Sequence, residues 1–163
     1  MNAPVYIRLS GGVPRPVYPN GCELIAGKAN ELRAGTDAAI LAVGTMVSVA
    51  LEAAALLEAK GLSAAVIDMW SLKPLDEECV RRYAASVPAI ITLEEHSVVN
   101  GLGSAVADVL AQHSGARLTK LGLPDAYPPG VSPYPVMLED YGLTAGRVTA
   151  SVEKAIRKAR VSQ

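Results

Sequence analysis

AAILAVGTMVSVALEAAALLEAKGLSAAVIDM, from Ala38 to Met69, decides the fold. It opens with a continuous apolar run of strand length, residues 38–43, and Gly44 turns it. Thr45 is placed to cap a helix over 46–60, in which Met46, Val49, Ala50, Ala53 and Leu57 share one face. Gly61 stops that helix, and AAVIDM, residues 64–69, is a second fully apolar strand apart from its Asp68. Strand, helix, strand with both strands apolar end to end is the signature of a parallel unit buried on both faces.

The alternation continues downstream. Asp76 caps a short helix carrying Val80, Tyr83, Ala84 and Val87, and AIITL at 89–93 is the next strand. Leu102, Ala105, Val106, Val109 and Leu110 form a helical stripe, and RLTKL at 117–121 is a further strand. A long loop rich in Pro and Gly follows. Thr144 then caps a last helix with Val148, Val152, Ile156 and Ala159 facing inward. Upstream, residues 24–34 offer an edge strand, with antiparallel pairing open. The expected fold is α/β: a three-layer sandwich around a mostly parallel, Rossmann-like sheet of about five strands. Sites in such sheets gather at the carboxyl ends of strands. Those ends are Gly44-Thr45, Trp70 to Pro74, Glu94-Glu95-His96 and Pro124-Asp125. The beginning of the chain fits less well. PVYIRL, residues 4–9, reads as a strand, yet it runs into Gly11, Gly12, Pro14, Pro16, Pro19 and Gly21, which form a linker.

Composition narrows the function. The chain has 163 residues and a net charge of −1, with one Trp, six Tyr and no Phe, so neither a basic face nor a stacking platform marks a nucleic-acid binder. The basic cluster Lys154, Arg157, Lys158 and Arg160 reads as a solvated helix end that suits the macrodipole. No apolar run has membrane-spanning length, and MNAPVYIRLSGG lacks the regions of a secretory leader, so a cytoplasmic location is expected. Cys22 and Cys79 have no metal spacing and read as two buried thiols.

The chemistry-bearing stretch is LEEHSVVNGLGSAV, Leu93 to Val106. A dinucleotide reading of its glycines fails, because Val106 stands where a third glycine is needed and Gly101 lies several residues past the strand. Glu94, Glu95 and His96 cannot converge on one substrate if the strand runs through them, since consecutive residues face opposite ways. A carboxylate there can instead bind amides of a neighbouring loop. His113, at a helix end, completes no Ser-His-Asp set. The residues alone give no catalytic group and no metal site.

PVYIRL (4–9), the GTMV turn (44–47), AKGLSAAVIDMWSLKPLD (59–76), LEEHSVVNGLGSAVADVL (93–110), LGLPD (121–125) and YGLTAGRV (141–148) occur in an order that resembles the carboxy-terminal domain of transketolase-like, thiamine-diphosphate-dependent enzymes. The family spans transketolases, deoxyxylulose-phosphate synthases and beta subunits of 2-oxoacid dehydrogenases, and PVYIRLSGG looks most like the bacterial or split transketolase type. The resemblance implies that residues 1–20 are the tail of a pyrimidine-binding domain and its linker, and that 21–163 are the carboxy-terminal domain.

It also implies transfer of a two-carbon ketol unit between sugars by a complete enzyme that uses thiamine diphosphate and Mg²⁺. The family's GDG…Asn motif and its pyrimidine-domain Glu do not occur here, so this chain alone should bind no cofactor and be inactive. Partners would be a second copy, as a dimer, and the missing domains or subunit. Arg8 matches one family Arg, whereas the position of another, which holds a substrate phosphate, is Gly11; Arg15 is the substitute candidate. Arg8 and Arg15 are thus the substrate-binding candidates. Glu95, His96, Gly101 and Gly103 are assigned to an interface or structural turn, with the glycines allowing a sharp turn and close helix packing. Three alternatives stand beside this reading. One is a free-standing module that binds nucleotides or anions through the helix N-termini at Thr45 and Gly103. Another is a protein-interaction domain. The third is the corresponding domain of a 2-oxoacid dehydrogenase beta subunit.

Overall fold

A computed structural model describes residues 4–7, 16–113, 115–127 and 130–161. Strands β2 (Ala38–Ala42) and β3 (Ala64–Asp68) lie at the centre, and every residue in both is buried. The sheet order is β1-β3-β2-β4-β5, with β1 at Asn30–Arg33, β4 at Ala89–Ser97 and β5 at Arg117–Leu123. β1 runs antiparallel to β3, and the other pairings are parallel. The expected α/β sandwich with a five-stranded, mostly parallel sheet is therefore the fold.

The pleat divides the core in two. Ile40, Ala42, Val66, Ile91 and Leu93 face one side, where helices α1 (Met46–Glu58) and α5 (Ala145–Arg160) pack. Ala39, Leu41, Ala65, Ile67 and Ile90 face the other, against α2 (Glu77–Ser86) and α3 (Leu102–Leu110). Alternate residues of one apolar strand thus feed separate layers, which is why the strands carry no polar alternation. In α5, Val148, Val152, Ile156 and Ala159 are buried as their spacing requires. The Asp76 carboxylate accepts from the Cys79 amide at 3.0 Å and caps α2, a bond worth about 1 kcal/mol.

Several expectations need correction. Residues 4–7 are exposed and belong to no strand, because ladder bonds require a neighbouring strand and none of the described strands pairs with them; Arg8 and Leu9 are outside the described residues. β4 continues to Ser97, past the expected end at Leu93, because Ser97 still pairs with Leu123 of a β5 that also runs past its expected end. The loop after β5 contains a helix, α4 (Tyr134–Asp140), that buries no residue and so leaves no apolar stripe in the sequence. Neither threonine cap forms its expected bond: Thr45 is already helical, and the Thr144 hydroxyl donates to Glu139 at 2.7 Å. Cys79 is buried as read, but Cys22 is exposed, since its segment runs over the sheet edge.

Candidate functional site

β2 is flanked by β3 on one side and β4 on the other, and the helices that follow β2 and β4 go to opposite faces. The crevice between their carboxyl ends is the topological switch point, where α/β sheets usually hold ligands. Here the chain fills it with its own carboxylates.

Glu94 is 1% exposed, and its two oxygens accept from the Leu102 amide at 2.7 Å and the Gly103 amide at 2.8 Å. Those amides open α3, whose cap residue Gly101 has no side chain to offer. An acid on the preceding strand thus does the work of a capping residue, with the helix dipole in its favour. Gly101 leaves room for this contact, and Gly103 for the close approach of α3 to β4 and β5. A Cβ on Gly101 would stand 2.0 Å from a Glu94 oxygen, and one on Gly103 would meet the Lys120 side chain at 2.5 Å and the Thr92 hydroxyl at 2.9 Å. The expected close helix packing is present. The expected sharp glycine turn is not, because Gly101 has a φ of −100° and the left-handed residue is Asn100 at 60°.

Glu95 points the other way, as strand alternation demands. One of its oxygens accepts from the Thr45 hydroxyl at 2.6 Å and from the Tyr134 hydroxyl at 2.7 Å. It therefore ties the β2–α1 turn, the end of β4 and the start of α4 together. Burial, then the bond to this carboxylate, raises the Tyr134 pKa. His96 is exposed; its Nδ1 lies 3.1 Å from the Ser97 carbonyl and 4.0 Å from Glu94. A carbonyl only accepts, so a hydrogen bond there places the proton on Nδ1, which is then no base. Glu94, Glu95 and His96 do not converge on a common point.

The same geometry disfavours an anion at the two helix starts named for it. The amides at the start of α3 are already paired to Glu94, and Glu95 sits against Thr45 at the start of α1. A phosphate at either end would meet a fixed negative charge. Among the described residues no group of three or more His, Cys, Asp or Glu is arranged to hold a metal ion. Arg8, Arg15 and Gly11 lie outside the described residues. Sequence reasoning missed the link from Tyr134 to Glu95, which crosses 39 residues of chain with no local signal. It also missed the partner of Asp68, although a lone acid ending AAVID was visible.

The family model described as "Transketolase, C-terminal domain" matches residues 27–148. The chain belongs to that family. It is 37% identical over 158 residues to a 6-deoxy-6-sulfo-D-fructose transketolase subunit SqwH from Clostridium sp. (strain MSTE9), covering 96% of this chain and 48% of the relative. A 1-deoxy-D-xylulose-5-phosphate synthase of Chlorobium phaeovibrioides (strain DSM 265 / 1930) is 45% identical over 130 residues, which is 78% of this chain and 20% of the relative. Among solved structures, "Split gene transketolase, inactive beta4 tetramer" superimposes with a TM-score of 0.83 at 43% identity, covering 88% of this chain and 47% of that one. The chain thus spans about a fifth to a half of the length of these relatives. The family's β4–α3 segment is, in this chain, a carboxylate-capped helix start.

Proposed function

We propose that this chain is the carboxy-terminal part of a split transketolase-like enzyme that moves a two-carbon ketol unit between sugars. The observation that carries the reading is the match across nearly its whole length to one subunit of a transketolase. The transketolase likeness of the fold, at a TM-score of 0.83, supports it. In this reading, residues 1–20 are the tail and linker of a preceding pyrimidine-binding domain, and 21–163 brace a site built by other domains in the cytoplasm.

Thiamine diphosphate and Mg²⁺ belong to the complete enzyme. The described residues do not fit the diphosphate, because the α1 and α3 N-termini at the carboxyl edge each face a carboxylate. The contribution here is architectural, and self-association is part of it. Tyr127, Val131 and Val136 are exposed along the segment from β5 into α4, a surface suited to burial against a second copy. A dimer is the expected assembly, to be checked by sedimentation at micromolar concentrations. Gly11, in the place of a phosphate-holding Arg, favours unphosphorylated or differently anchored sugars. Gly11→Arg in the reassembled enzyme should improve kcat/KM for phosphosugars by about ten- to a hundred-fold.

The reading is tested by purifying the chain alone and together with a complement that carries a GDG…Asn motif and the pyrimidine-domain Glu. Alone, it should give no heat with thiamine diphosphate and Mg²⁺ and no ketol transfer; with the complement, both should appear. Ketol transfer by the isolated chain would overturn the division of labour. A native-source complex lacking any diphosphate-binding chain would overturn the reading itself.

A further inference from the structure

Asp68 stands out in the centre of the sheet. Every other residue of β2 and β3 is apolar, yet this carboxylate, 6% exposed, ends β3. One oxygen accepts from the Tyr18 hydroxyl at 2.7 Å, and the other has no hydrogen-bond partner among the described residues. Burial raises its pKa, with the Tyr18 bond pulling the other way. An apolar residue would suit the position better on stability grounds alone, because a half-satisfied buried carboxylate is costly.

What Asp68 gains is a hold on a distant part of the chain. Tyr18 also receives the Asn30 side-chain amide of β1 at 3.2 Å, so strand end, edge strand and linker meet at one hydroxyl. Val17, beside it, packs against the α1/α5 core. Further along, the Gly27 amide donates to Ser71 at 3.0 Å and the Ala29 amide to Asp76 at 3.0 Å. The segment from 17 to 29 is thus fastened at successive points along one edge of the sheet, and the first fastening is the one made by a buried charge.

We propose that Asp68 is a positioning residue that keys the segment from Val17 to Ala29 to the domain, fixing its path along the sheet edge. A buried acceptor specifies one partner in one geometry, which a greasy contact does not. The inference does not depend on ketol transfer, and it is read on the chain itself.

Cys22 provides the probe. It is an exposed thiol in the same segment, joined to the key by the Gly21 amide, which donates to the Tyr18 carbonyl at 3.1 Å, while Cys79 is buried and inert to labelling. A nitroxide on Cys22 reports linker mobility. Tyr18→Phe and Asp68→Val should each sharpen its spectrum and speed amide exchange across residues 17–24 by about ten-fold. Asp68→Asn keeps an acceptor for Tyr18 and should leave both readouts near those of the parent. Asp68→Val should melt no earlier than the parent. An unchanged label in Tyr18→Phe would overturn the proposal, even if Asp68→Val failed to fold. So would Asp68→Asn loosening the linker as much as Tyr18→Phe, since the acceptor would then not be the key.

Discussion

Glu94 and Asp68 are both buried carboxylates at the carboxyl edge of one sheet, yet they are built in opposite ways. Glu94 gives each oxygen a helix amide, whereas Asp68 gives one oxygen a tyrosine hydroxyl and leaves the other unpaired among the described residues. The first meets donors that have no other partner, and the helix dipole adds to the attraction. The second meets a neutral donor drawn from the segment ahead of β1. Burial alone therefore does not say whether an acid stabilises a fold; the source of its donors does.

The contrast can be broken most severely at Glu94. Glu94→Ala should lower unfolding free energy by roughly 3–4 kcal/mol, since two charge-assisted bonds vanish and two amides are left inside without partners. Urea titration would measure it, and a loss below about 1 kcal/mol would mean that water replaces the carboxylate. Gly101→Ala should cost roughly 1–3 kcal/mol by driving its methyl into the Glu94 oxygen. Combined with Glu94→Ala it should cost less than the sum, because the methyl then enters vacated space.

Asp68 sharpens the comparison through pH. Its folded pKa lies above the ordinary 3.8, so the stability it contributes is complete below that value and is lost as pH rises through the folded pKa. Asp68→Asn should therefore gain on the parent as pH climbs from below 3.8, then level off. Parallel stability curves across that window would show that Asp68 does not titrate differently in the fold. The smallest effect belongs to an exposed control: Arg81→Ala, which breaks the 2.9 Å pair with Glu77 on α2, should cost about 0.3–0.5 kcal/mol and less in high salt.

Much of this architecture was legible because its signals are local. Residues 38–69 announce strand, helix and strand through apolar runs and glycine punctuation, and the structure follows them within two residues. The amide-binding use of an acid after AIITL was also within reach, because Glu94 and its amides lie eight and nine residues apart. Tyr134 and α4 were not, since a helix with no buried residue has no periodicity to read. The strand assigned to PVYIRL failed at residues 4–7 for a related reason: β-propensity describes a surface that fits a neighbour, not a strand on its own. Glycine was read for the wrong property at position 101, where the small radius matters and the backbone freedom does not.

The eight-residue span between Glu94 and the Leu102 amide also bears on time. Closing so short a loop costs little chain entropy, so the end of β4 and the first turn of α3 can find each other before the sheet is assembled. The Tyr18–Asp68 contact spans 50 residues and has to wait for β3 to be in place. Weakening the Glu94 cap is thus expected to slow folding, while weakening the Tyr18–Asp68 contact leaves that rate alone and loosens only the segment ahead of β1 in the finished protein.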